Sequence, residues 1–223
     1  MVSATLLLLA GIQLTCVYLL WTRTARIARL WVLGVIGLGL AYDAAIFGLG
    51  AVLGEGQPLH ALSVGRFLGH ALLTPLLVLW AVDRIDAGRR WRWAALVLTG
   101  VLLGWGIVED VVHLRLVPRH FADTFRYASQ TPAVPVPALA ATAVLIVAGV
   151  VLWRREGLRF PLLGTLILVA ASGAAVAVPL LGNAGEAVML CALTGAELAR
   201  SHRKSRKNSR TSPTRISGNP IRP

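Results

Sequence analysis

Seven apolar runs, each near twenty residues, alternate along this chain with short polar connectors. They cover about residues 4–21, 30–53, 59–82, 93–116, 137–153, 160–181 and 184–199. Runs of this length match the roughly 20 residues that a helix needs to cross the hydrocarbon core of a bilayer. The pattern predicts an all-α, seven-helix transmembrane bundle over residues 1–200. The stretch 160–199 admits a second reading, as one hairpin turning at Gly182-Asn183-Ala184-Gly185. Residues 117–136 hold Pro118, Pro132 and Pro135 and mix aromatic with charged side chains, which reads as one long interfacial loop. Residues 201–223 are rich in Ser, Lys, Arg and Pro without apolar periodicity. They are expected to form a disordered basic tail.

Composition agrees with this pattern. Of 223 residues 56% are hydrophobic and only 14% charged, against roughly 25% charged in soluble domains. The mean hydropathy is +0.70. One bundle uses up the chain, with no room for a separate soluble domain.

The net charge of +12 invites a nucleic-acid reading, but its placement argues for membrane lipids as partners instead. Eighteen of the 22 Lys and Arg fall in alternate connectors and the tail. They are Arg23, Arg26 and Arg29, then Arg84, Arg89, Arg90 and Arg92, then Arg154, Arg155 and Arg159, and eight from Arg200 onward. By the positive-inside rule the N-terminus is outside and the C-terminus is cytoplasmic, in a plasma membrane. Trp21, Trp31, Trp80, Trp91, Trp93 and Trp153 lie near the cytoplasmic ends, where an aromatic belt is expected. Cys16 and Cys191 fall within spans and read as small packing residues rather than a disulfide. No positive charge precedes the first apolar run, so a cleavable secretory leader is not expected.

Against this apolar background the ionisable residues stand out, because charge at such depth is costly. Gly104–Arg115 carries Glu109, Asp110 and His113 at helical spacings that lean toward one face. Ser63, Arg66, His70 and Thr74 form a second stripe, with Pro75 freeing a backbone carbonyl near Ala71. Tyr42 and Asp43 add a third group. At about 1.5 Å rise per residue, two layers result, Asp43 with His70 and Arg66 with Glu109 or Asp110. Adjacent Glu109 and Asp110 repel when both are ionised, so one is expected to keep a proton for general acid work. Structural ion pairing is the competing reading for both layers. Glu186 and Glu197 lie at predicted helix ends and read as solvated. Arg115, Arg119 and Arg126 break the positive-inside pattern and are read as headgroup contacts or as snorkelling side chains.

Several chemistries drop out. A retinal Schiff base within the bundle is excluded, since the only lysines are Lys204 and Lys207. No metal motif, cofactor motif or nucleophile with a placed base is found. Acid–base chemistry on a hydrophobic lipid or isoprenoid substrate remains, with Asp110, Glu109, Asp43 and His70 as catalytic candidates. Arg66, Tyr42, Trp105, His113 and Arg119 are the candidate binding residues. A proton-coupled transporter and a non-enzymatic scaffold or receptor are the alternatives. Tyr42-Asp43, the Gly54-Glu-Gly turn, Arg66-Phe67-x-x-His70 and Thr74-Pro75 resemble an uncharacterised group of small multi-pass bacterial membrane proteins. In size and helix count the chain is also similar to integral-membrane terpene cyclases, a likeness that implies protonation by a membrane carboxyl.

Overall fold

The computed structural model describes residues 1–23, 28–130 and 134–211, with side chains except at 23, 28, 110 and 202–211. Seven helical rods account for most of it. They are α1 (Val2–Arg23), α2 (Ala28–Leu53), α3 (Gln57–Leu73) continued by α4 (Leu76–Arg84), α5 (Arg89–Ile107), α6 (Val136–Glu156), α7 (Phe160–Ala174) and α8 (Leu180–Thr211). Four stretches are long and apolar enough to cross a membrane: Val2–Thr22, Arg29–Leu53, Gln57–Arg84 and Val136–Glu156. α5 begins with three arginines, α7 is 15 residues long, and α8 ends in a basic run.

The third rod breaks where the sequence demands it. Pro75 has no N–H to give to the carbonyl of Ala71, so the ladder stops at Leu73 and restarts at Leu76. Gly106 of α5 then closes on this break. A Cβ there would lie 3.2 Å from the Ala71 oxygen. By contrast a Cβ on Gly100 or Gly104, four apart on α5, would meet nothing within 4 Å. Small residues do their packing between α7 and α8. A Cβ on Gly185 would stand 2.7 Å from that of Ala171, and one on Gly164 2.6 Å from that of Ala192. α5 runs into a π-helical turn, Val108–Val112, which ends the rod four residues before the expected boundary.

Two expectations fail in instructive ways. The supposed interfacial loop is a β-hairpin, with β1 (Leu116–Phe121) antiparallel to β2 (Thr124–Ser129). Ala122, with φ 50°, starts its two-residue turn. Phe125 and Tyr127 bury one face of β2 against Ile46 and Leu59. Thr124 Oγ1 donates to the Phe47 carbonyl at 2.7 Å. The close seat requires Gly50, where a Cβ would fall 1.6 Å from the Phe125 oxygen. Asp123 at the turn accepts from the Val2 amide at 2.8 Å and pairs with the Met1 amino group, capping α1. Pairing with that amino group, and then with nearby backbone amides, holds the Asp123 carboxyl below its ordinary range.

The second failure concerns 160–199. The chain turns at residues 175–179, not at 182–185, and Gly182–Gly185 lie inside the first turns of α8. α8 then continues through Thr211, so the first half of the expected tail is helical; 212–223 lie outside the described residues.

At the opposite end from the hairpin the connector arginines are not simply solvated. Arg84 is fully buried and Arg29 nearly so. Both point at Glu197, itself 2% exposed and not solvated as its position had implied. Arg29 Nε lies 2.9 Å from Glu197 Oε1, and Arg84 grips Glu156 bidentately at 2.7 and 3.0 Å. Asp83 and Arg200 extend the network. Trp80 is buried in the core beside it and so is no belt residue, while Trp31, Trp91, Trp93 and Trp153 are exposed. Arg26 lies outside the described residues.

Candidate functional site

The hairpin end carries a different cluster, built from four elements. Asp43 comes from the middle of α2. Arg66 and His70, four apart, share one face of α3. Asn183 and Glu186, three apart, share one face of α8. Arg126 reaches in from β2. Together with Phe67 and Gly182 they line a cavity of about 240 Å³.

Asp43 is fully engaged. Its Oδ1 accepts from Arg66 Nε at 2.7 Å and its Oδ2 from Asn183 Nδ2 at 2.5 Å. Arg66 also lies over the Phe47 ring, whose centroid is 5.6 Å from its Cζ. Tyr42 braces α2 on α3 by donating to the Leu62 carbonyl at 2.9 Å. This half of the cluster needs nothing more.

The other half is uncommitted. Among the described residues Glu186 Oε2 is buried and makes no hydrogen bond. His70 Nε2 lies 3.6 Å from Glu186 Oε1 and 3.9 Å from Asp43 Oδ1, and the imidazole is 40% exposed. Its Nδ1 stands 3.5 Å from Thr74 Oγ1. Arg126 also lies over the Phe47 ring, its Cζ 4.9 Å from the centroid, and forms no ion pair among the described residues. Burial first, and then the positive charge of Arg66, push its guanidinium below the ordinary value. A half-buried cation without an ion-pair partner attracts an anion.

The donors of Asp43, His70 and Glu186 lie within 4.8 Å of one another, close enough to hold a metal ion. The charges nevertheless oppose it. Asp43 already receives two donors, and two guanidiniums line the same cavity. The two carboxylates of the cavity balance its two guanidiniums, but Arg66 and Arg126 repel a divalent cation and Asp43, already accepting two hydrogen bonds, has little left to coordinate one.

The expected layers are half met. Asp43 and His70 come together. Arg66 pairs with Asp43 instead of Glu109 or Asp110. Glu109, His113 and Arg119 are exposed, and Trp105 is 49% exposed on the outer face of α5. None of them lines the cavity. The Asp110 side chain lies outside the described residues. Glu186 and Asn183 carry the site without having been singled out for it, and Arg126 reads in the sequence only as a headgroup contact or a snorkelling side chain. Pro179 was the missed signal. A helix starting just after that proline puts Glu186 in the second turn and facing inward, rather than at a solvated end.

An apolar groove of about 700 Å³ lies between α4, α5 and α6. It shares no lining residue with the polar pocket. No protein-family model matches the chain, and no curated protein matches it.

Proposed function

We propose that this chain is a seven-helix integral membrane protein that transfers a proton on a small anionic substrate, or on the anionic head of a lipid, in the pocket beneath the hairpin. The N-terminus and hairpin lie outside and α8 ends in the cytoplasm. Four helices of spanning length and the one-sided distribution of arginine support this orientation.

One observation carries the functional reading: within one cavity, among the described residues, Arg126 forms no ion pair and Glu186 Oε2 accepts no hydrogen bond, while Asp43, Arg66 and Asn183 satisfy one another. Arg126 takes the anionic group. Glu186 and His70, 3.6 Å apart, exchange the proton, directly after a small approach or through one water. Asp43 and Arg66 hold the geometry. The cavity is smaller than the roughly 300–1,000 Å³ of drug-sized ligand sites, so only a small group enters and any lipid tail stays outside. This shifts the proton donor from Glu109 and Asp110 to Glu186.

The test compares a deletion strain with the same strain complemented by wild type, Glu186→Gln or Glu109→Gln. Membrane lipids and aqueous metabolites are profiled separately, which distinguishes a lipid head from a free anion. A species restored by wild type and Glu109→Gln but not by Glu186→Gln is expected. Restoration by all three at equal protein abundance would overturn the reading. Proton-driven uptake lost in Glu186→Gln, with no species chemically altered, would replace enzyme with transporter.

A further inference from the structure

Cys16 of α1 and Cys191 of α8 are 175 positions apart in sequence, yet their sulfurs lie 3.5 Å apart. Both are free thiols; Cys16 is buried and Cys191 exposed. A disulfide holds its sulfurs about 2.05 Å apart, so a rotamer adjustment of roughly 1.5 Å closes the gap. The seam around them is not purely apolar. Gln13, one turn before Cys16, is fully buried with both amide atoms unpartnered among the described residues, and Thr194, one turn after Cys191, is buried as well.

We infer that Cys16 and Cys191 are a peroxide-oxidised pair that closes to a disulfide joining α1 to α8. Accessible Cys191 acts first. Its sulfur attacks one peroxide oxygen, the O–O bond breaks, and Cys191 sulfenic acid and water form. Buried Cys16 then attacks that sulfur; the S–S bond forms and the sulfenic oxygen leaves as a second water. Two thiols lose two electrons and two protons, and the peroxide takes them up. The bridge pins α8, the helix that carries Asn183 and Glu186 near its start and Glu197 near its middle. This inference stands on the α1–α8 seam alone and not on the pocket.

Membranes containing the full chain are treated with hydrogen peroxide or, for a lipid-soluble oxidant, tert-butyl hydroperoxide. The protein is then denatured, alkylated with N-ethylmaleimide, and weighed intact. The expected product is a single chain lacking two hydrogens that takes up no maleimide, and takes up two after dithiothreitol. In Cys16→Ser the sulfenic acid persists on Cys191 and is captured by dimedone. In Cys191→Ser the loss of Cys16 alkylation is much slower. Wild-type chain that keeps both maleimide sites under both oxidants would overturn the inference. So would over-oxidation of Cys191 beside an alkylatable Cys16, or a disulfide between two chains.

Discussion

The two ends of this bundle hold two buried ionic clusters of similar composition and opposite completeness. At one end Arg29, Arg84, Glu156 and Glu197 answer one another, a backbone carbonyl of α8 takes a further Arg84 hydrogen, and only Arg84 Nε, 3.6 Å from Glu197, is left without a hydrogen bond among the described residues. At the other end Asp43 and Arg66 are answered, while Glu186, His70 and Arg126 face a cavity. Burying charge costs free energy wherever it happens. A complete network offsets that cost internally and leaves nothing for a ligand. An incomplete one leaves it to be offset by a ligand, by water or by a proton. Incompleteness, more than charge or burial, separates a candidate site from a structural clamp.

The largest effect should come from breaking the complete end. Glu197→Gln leaves Arg29 and Arg84 buried without their shared carboxylate, at a cost of about 3–5 kcal/mol, read as thermal unfolding in detergent micelles. The same exchange in the incomplete end, Glu186→Gln, removes no hydrogen bond from Oε2. It should change stability by less than about 1 kcal/mol, within the range of substitutions away from packed or paired features. The proton-transfer rate should fall about 10²–10⁴-fold. Equal stability losses in the two variants would erase the contrast.

Smaller perturbations sharpen it. Gly50→Ala places a methyl where the Phe125 carbonyl sits. The hairpin must shift, at about 1–3 kcal/mol, and hydrogen exchange should rise in β1 and β2 while the Arg84 end keeps its protection. Arg126→Gln removes a charge-assisted bond to the anion, worth about 1.5–3 kcal/mol, or roughly 10–100-fold in affinity, with little change in unfolding temperature. Acid should release the hairpin turn. The folded Asp123 carboxyl titrates below its unfolded counterpart, so the cap on α1 is fully present above the unfolded value, near 3.9. It is lost as pH falls through the folded one. Amide exchange of Val2 and Ser3 should report this, and Asp123→Asn should show the exchange at neutral pH.

The bundle was legible because its signal is long. Seven runs near twenty residues fix seven rods, and Pro75 fixes the break in the third. The hairpin was not legible. Arg119-His-Phe-Ala-Asp-Thr-Phe-Arg-Tyr carries no Asn-Gly or Asp-Gly turn, and its buried residues, Phe125 and Tyr127, are covered by Ile46 and Leu59 of α2 and α3, far away in sequence. Asp43, Arg66 and His70 were legible as polar residues in apolar spans. What they face depends on helix rotation, and an error of a few residues at the start of α8 turned Glu186 from a cavity-lining carboxyl into a solvated one. Glu109 misled for the opposite reason, since depth along a helix does not say which face is inside. The 18 arginines and lysines predict an orientation, but only packing separates Arg84, fully buried, from its exposed neighbours Arg89 and Arg90.

The most direct test of the contrast is labelling by a lipid-soluble carbodiimide, which reacts with a protonated carboxyl that has no fixed partner. Native membranes are labelled and modification at the buried carboxyls Asp43, Glu186 and Glu197 is followed by mass spectrometry. Glu186 should be modified first, and an anion that occupies the pocket should slow it. Modification of Glu197 or Asp43 ahead of Glu186 would contradict the division between a complete and an incomplete end.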